Sequence, residues 1–179
     1  MERYIAFLRG INVSGQKIIK METLRAVLAG AGFAEVKTYI QSGNILFNSE
    51  VQDTNLIIHT IEKLIKESFG FRTDVILRKY SEIERMVNSP LFIKLKMVEG
   101  TKYYITFLKE KYPEPLVLPL FSKNRDVEII HQSEMDMTSV STMFKGNYGF
   151  PNSFIEKLTG IAASTRNPNT LEKILAMDN

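Results

Sequence analysis

Two short polar segments hold the residues whose types and spacing suit ligand chemistry. The first, Leu8-Arg9-Gly10-Ile11-Asn12-Val13-Ser14-Gly15, puts a guanidinium, a carboxamide and two glycines in a turn between a strand-like run and a helix. The backbone N–H groups of such a turn, with a helix N-terminus behind them, can hold a phosphate or a carboxylate. Neither the Gly-Lys-Ser/Thr of a Walker loop nor G-x-G-x-x-G spacing is present, so a purely structural βα loop is the competing reading. Strand alternation puts Arg9 on the face of Ile5 and Phe7, where the chain leaves the sheet. The second segment is Thr38-Tyr39-Ile40-Gln41-Ser42-Gly43-Asn44. A two-residue turn at Ser42-Gly43 predicts Gln41 opposite Asn44 and Tyr39 opposite Leu46, with Tyr39, Gln41 and Asn44 on one face and Ile40 and Ile45 on the other. A hairpin closed by polar residues accounts for Ser42, Gly43 and Asn44 without any function, but leaves Gln41 beside Arg9 unexplained.

Lys17, Lys20 and Arg72 can surround the same end with positive charge, although solvation alone accounts for Lys17. In Thr165-Arg166-Asn167-Pro168-Asn169-Thr170, Asn167 reads as an N-cap and Pro168 as the first helical residue, which leaves Arg166 unassigned. Other constellations are poor in chemistry. His59 falls on the outward helix face of Lys63 and Lys66, and His131 lies in a strand without a ligand pattern. Glu134 and Asp136 suit a hairpin turn more than a carboxylate pair. Phe144, Tyr148 and Phe150 around Lys145-Gly146-Asn147 read either as packing residues or as a base-stacking loop. Cysteine is absent, which excludes a disulfide framework, a thiolate metal centre, an iron-sulfur cluster and a cysteine nucleophile. No metal site and no cofactor are expected.

Several elements must position these groups. Tyr4-Ile5-Ala6-Phe7-Leu8 reads as a central strand covered on both faces. A helix follows from about Lys20 to Ala31, with Met21, Leu24, Val27, Leu28 and Ala31 as its apolar stripe. Strands over 35–41 and 44–49 form the hairpin. A helix capped by Asp53 or Thr54 runs to about Phe69 with Ile57, Ile58, Ile61, Leu64 and Ile65 inward, and 73–79 is the fourth strand. The fold class is therefore α+β: a ferredoxin-like β-α-β-β-α-β half over 1–80, with a smaller α+β half over 81–179 packed against it. In that topology the end of the first strand, the turn after the second, the start of the first helix and Arg72 meet at one sheet end. The later half reads as a helix over 81–88, a strand over 102–108, a proline-bearing stretch, a hairpin of strands 127–132 and 137–142, and a short strand between helices 152–158 and 168–176. It is expected to be a reduced version of the first half.

The chain has 179 residues, 44% hydrophobic, enough for a substantial core. Its net charge of +3 comes from residues 1–80, which hold 11 basic and 8 acidic side chains; residues 81–179 hold 12 of each. So small a surplus allows an anionic partner without requiring one. No signal-like or membrane-spanning apolar run occurs, so a cytoplasmic location and no membrane partner are expected.

The segments LRGINVSG, KME-LR at Lys20 to Arg25, TYIQSGN and STRNPNT together resemble a bacterial family known as domain of unknown function 1697, over essentially the whole chain. The resemblance implies a two-part α+β protein with a ferredoxin-like first half, and no established activity. Arg9, Gly10, Asn12, Gly15, Lys20, Tyr39, Ser42, Gly43, Asn44, Arg166 and Asn167 match the family pattern. Ser14 and Pro168 depart from it, where the family has glycine and an aromatic residue.

The leading functional expectation is a site for a small anionic or phosphorylated metabolite, built from Arg9, Gly10, Asn12, Gly15, Lys20, Tyr39, Gln41, Ser42, Asn44, Arg72, Arg166 and Asn167. It leaves open whether the ligand is only bound or also turned over. A nucleic-acid-binding module and a non-catalytic interaction protein are the alternatives, and the sequence specifies neither ligand identity nor oligomeric state.

Overall fold

The computed structural model describes residues 1–95 and 100–178, and it is an α+β protein. The chain divides into two compact units, Met1–Arg85 joined by the segment from Lys173 onward, and Met86–Glu172.

In the first unit β1 (Glu2–Leu8), α1 (Met21–Gly30), β2 (Ala34–Tyr39), β3 (Asn44–Ser49), α2 (Thr54–Phe69) and β4 (Val75–Lys79) follow one another. The sheet order is β2-β3-β1-β4, with β1 antiparallel to both neighbours. Phe7 pairs with Asn44 and Leu8 with Val75, so the exit of β1, the β2–β3 turn and the start of β4 share one sheet end. Alternation along β1 sends Tyr4, Ala6 and Leu8 to the helical face. There they meet Ile45, Phe47, Val75 and Leu77, together with Leu24 and Leu28 of α1 and Ile57, Ile61 and Ile65 of α2. The ring of Phe33 meets that of Phe47 edge to face at 4.9 Å. Each such side chain contributes roughly 1.5–3 kcal/mol by leaving water. The alternate residues Ile5, Phe7, Leu46 and Ile76 are also buried, as a near-continuous apolar strand implies. α2 begins where Asp53 Oδ1 accepts from the Asn55 and Leu56 amides, and stops at Gly70 in the left-handed region, φ 80°. The C-terminal tail is tied to this unit by an Arg3–Asp178 ion pair, by Lys37 Nζ donating to the Met177 carbonyl (2.6 Å) and by the Tyr80 hydroxyl donating to that of Leu175 (3.2 Å).

Beyond β4, α3 (Tyr80–Val87) crosses the division and α4 (Pro90–Leu95) opens the second unit. Then come β5 (Lys102–Leu108), β6 (Leu120–Phe121), β7 (Val127–Gln132), β8 (Asp136–Ser141), β9 (Met143–Phe144), β10 (Asn147–Tyr148), α5 (Pro151–Thr159), β11 (Ala163–Arg166) and α6 (Pro168–Leu175), with a closing 3-10 turn at Ala176–Asp178. The five-stranded sheet runs β11-β5-β8-β7-β6, every pair antiparallel. Without β6, this is the strand order of the first unit again. α5 stands in the place of α2, and the segment 109–119, with Pro113, Pro115 and Pro119, replaces α1.

The repeat extends to single hydrogen bonds. Leu8 N donates to Gly43 O and Leu108 N to Met135 O, both at 2.8 Å; Arg9 N donates to Asp74 O (3.0 Å) and Lys109 N to Ala162 O (2.8 Å). Glu62 of α2 accepts from the first amide of β4 at 3.0 Å, and Glu156 of α5 from the first amide of β11 at 2.8 Å. A part-buried N–H left without its acceptor costs about 1–3 kcal/mol. Glu62→Ala and Glu156→Ala should each destabilise by that amount in urea unfolding, whereas Glu→Gln at either position, which keeps an acceptor oxygen, should lose less than half as much.

Candidate functional site: the N-terminal end of the first helix

The chain between β1 and α1 is a compact polar loop with an unusual backbone. Gly10, Asn12, Ser14, Gly15 and Lys17 all have positive φ, between 48° and 74°. Gly10 turns the chain, and residues 12–17 form a miniature hairpin in which Asn12 N donates to Lys17 O (3.2 Å) and Gln16 N to Val13 O (2.9 Å). Ser14 and Gly15 are its central pair, both with the positive φ that a type I′ turn requires. Three non-glycine residues in this region represent stored strain, which persists only because the surroundings hold them. The holding group is Asn12. Its Nδ2 donates to Ile19 O (3.1 Å) and to Gln41 O (2.7 Å), while Oδ1 accepts from Ile19 N (2.8 Å). One carboxamide thus fixes the loop, the entry to α1 and the second polar turn together.

That second turn differs from its predicted register. Tyr39 pairs with Asn44 and Lys37 with Leu46, so Ile40 to Gly43 form a four-residue turn and the pairing is displaced by two residues. A two-residue displacement preserves faces, so Tyr39 and Asn44 remain on one side. Gln41 leaves the ladder, however, and Ile40, with φ 49°, is exposed instead of facing Ile45. Within this turn Gly43 comes down onto β1, its carbonyl accepting from Leu8 N at 2.8 Å. A Cβ there would stand 2.7 Å from Leu8 Cβ and 2.8 Å from Ile11 Cδ1, so the turn crosses directly over β1 and only glycine fits. Asn44 is fully buried, its Nδ2 donating to Tyr39 O (3.1 Å) and Ser42 Oγ (2.9 Å). Asn44, Ser42 and Asn12 therefore spend their polar atoms on the fold.

The cations fall in different places. The Arg9 guanidinium is part-exposed, 3.8 Å from the Asp74 carboxylate, and the Arg9 carbonyl accepts from Thr73 Oγ1 at 2.6 Å. Arg72 is exposed in the α2–β4 connection, and Lys17 Nζ stands 5.9 Å from the centroid of the Phe71 ring. Lys20 occupies the N-cap position of α1, and its side chain makes no capping hydrogen bond. Around it lies an open depression of about 580 Å³, bounded by Asn12, Lys20, Glu22, Arg25 and Gln41 with Ile18, Ile19 and Met21 as its apolar part. Three predicted site residues, Asn12, Lys20 and Gln41, meet on this wall; Arg9, Gly10, Gly15, Tyr39, Ser42, Asn44 and Arg72 do not line it. Arg25, whose Nη1 donates to Thr38 Oγ1 at 2.6 Å, and Glu22 are additions. The signal for Arg25 was its place on the first turns of α1, within the KME-LR segment.

Two predicted residues belong to the second unit. Asn167 caps α6, its Oδ1 accepting from Thr170 N at 2.8 Å, and Pro168 is the first helical residue. Arg166 Nη1 donates to Ser164 Oγ and to Thr165 O, both at 2.8 Å, and burial pushes its pKa down to about 10. It stands three residues after Ala163, as Arg78 stands three after Val75, and Arg78 Nη1 likewise donates to the carbonyl of its preceding residue at 2.8 Å. Arg166 is thus one of a repeated pair of strand-end arginines. His59 is exposed, with Nδ1 2.8 Å from Asn55 O, and Glu134 forms an exposed ion pair with Lys111, in keeping with surface roles.

Among the described residues, no helix is long and apolar enough to cross a membrane. Residues 1–137 match the model of a family described as Protein of unknown function (DUF1697). The chain belongs to this family. The chain is also similar in structure to a solved conserved bacterial protein, SP0830 from Streptococcus pneumoniae, which is 21% identical with a TM-score of 0.70 over 99% of both chains. At that identity the likeness shows the fold alone. No curated protein matches the chain.

Proposed function

We propose that this DUF1697 protein binds a small anionic, phosphate-bearing metabolite in the depression at the N-terminus of α1. The observation that carries this reading is the cap position. A helix start is normally closed by Ser, Thr, Asp or Asn, whose oxygen takes one of the orphan amides. Here Lys20 stands there instead, offering no acceptor, beside a concave wall that also bears Arg25 and Gln41. Orphan amides, the positive end of the helix dipole and two cations all favour a negative group. Of the lining residues only Glu22 is acidic, and none is a histidine or carries a hydroxyl, so binding is better supported than turnover. The reading includes a ferredoxin-like first unit, on its strand order, and a cytoplasmic bacterial setting, on the cysteine-free sequence and the bacterial origin of the solved relative.

A thermal-shift screen against nucleotides, sugar phosphates, inorganic pyrophosphate and organic acids tests it. Lys20→Ala should weaken binding about tenfold or more, the effect of losing one charge-assisted contact. Glu22→Gln should tighten it about threefold by removing a like charge, while slightly loosening the helix start. The opposite signs matter, because a general loss of stability would weaken binding in both. No stabilising anion, or equal stabilisation of the Lys20→Ala protein, would remove the proposal.

A further inference from the structure

The second unit has an aromatic, cationic end that the proposed anion site does not involve. β5 starts there, since Lys102 pairs with Ser141 and Ser141 with Val127. The β6–β7 turn is alongside, with Thr142 N donating to Asp126 O at 3.0 Å. From it projects the β9–β10 hairpin, closed by Lys145 and Gly146 at φ 49° and 83°, the positive pair of a two-residue hairpin turn. Two aromatic rings at this end reach solvent, Phe144 at 39% and Phe150 at 58% exposure, and Met143 beside them is 61% exposed.

Each ring carries a neighbour of a particular kind. Lys102 Nζ stands 4.2 Å from the centroid of Tyr148, Lys145 Nζ 5.3 Å from that of Phe144, and the Arg125 guanidinium 4.0 Å from that of Phe121. Phe150 meets Tyr104 in an edge-to-face contact at 5.4 Å and remains largely exposed. The carboxylate in the turn, Asp126, accepts from Ser122 Oγ at 2.6 Å, and Glu128 lies further into β7.

We infer that this end binds single-stranded nucleic acid, with bases stacking on Phe144 and Phe150 and phosphates meeting Lys102, Arg125 and Lys145. A nucleotide needs one flat apolar face and one cation within a few ångströms of each other; Phe144 with Lys145 supplies that pair, and Lys102 beside Tyr148 and Arg125 beside Phe121 add cations at the same end. A duplex presents no free base faces. A membrane fits less well, because the cations lie over the rings rather than behind them. Inserting Phe144 into acyl chains would carry the Lys145 charge with it, at a large desolvation cost. An acidic peptide would satisfy the lysines and leave the rings exposed.

Fluorescence anisotropy with labelled oligouridine and oligoadenosine on the full chain tests this. Binding is expected at about 50 mM salt and should fall about 20-fold by about 200 mM if three phosphates are neutralised. Phe144→Ala and Phe150→Ala should each weaken it about fivefold or more. Lys145→Gln should lower the slope of log affinity against log salt by about 0.7. Because Phe150 touches Tyr104, Phe144→Ala, confined to the exposed hairpin, is the deciding variant if Phe150→Ala lowers the melting temperature. Absence of binding at low salt, equal affinity for duplex and single strand, unchanged affinity in Phe144→Ala, or uptake by anionic vesicles without oligonucleotide binding would each overturn the inference.

Discussion

Gly43→Ala should destabilise the first unit by about 2–5 kcal/mol, the largest effect expected of any single methyl group in the protein. Two separate costs add. The residue sits at φ 73°, where an L side chain pays about 1–2 kcal/mol. Its new Cβ would also fall 2.7 Å from Leu8 Cβ and 2.8 Å from Ile11 Cδ1, both in the packed interior, and overpacking of that kind costs about 1–3 kcal/mol. Gly15→Ala is the matched control. Gly15 has nearly the same φ, 74°, but nothing within 4 Å of its Cβ position, so only the conformational cost remains, about 1–2 kcal/mol. Urea unfolding of the two variants separates strain from close approach. Equal losses would mean that the turn can lift away from β1, and that the packing argument at Leu8 is wrong.

The second large effect is expected at Asn12. Asn12→Ala removes three hydrogen bonds together and leaves the Ile19 amide and the Ile19 and Gln41 carbonyls to find water. At roughly 1 kcal/mol net per bond, with a further penalty for any group that stays buried, the loss is about 2–4 kcal/mol. Asn12→Asp sharpens the test. It keeps the acceptor for Ile19 N but turns a carboxylate toward two carbonyl oxygens, so it should be nearly as damaging as alanine. If aspartate were tolerated, the donor side of Asn12 would not be what joins the two loops.

These two residues also show which parts of the protein are legible in its sequence. The repeat of Ile57, Ile61 and Ile65 behind an Asp53 cap reads directly as a helix, because the 3.6-residue period and the capping chemistry agree. Likewise Asn167-Pro168 marks the start of α6. The β2–β3 pairing lies two residues from the register the sequence predicts, because Ile40, a β-branched residue, reads as strand. Ile40 instead lies in a turn whose Gly43 rests against Leu8, a contact distant in sequence that local propensity does not carry. The roles of Asn12 and Asn44 escaped for the same reason, since local chemistry identifies a polar turn residue but not which remote carbonyl it will meet. Lys20 reads in the sequence as a cation, and its cap position follows from a helix boundary one residue later than the sequence predicts. In the second unit, the two-residue strands of the β9–β10 hairpin are too short to leave a period, so the exposure of Phe144 is not legible in the sequence.

The central claim, anion binding at the start of α1, is tested most directly by following backbone amide resonances during titration with inorganic pyrophosphate. The account predicts saturable shifts concentrated on Met21, Glu22 and Thr23, extending to Arg25 and Gln41, amplified in Glu22→Gln and lost in Lys20→Ala. Shifts that do not saturate, or that spare the first turn of α1, would contradict it.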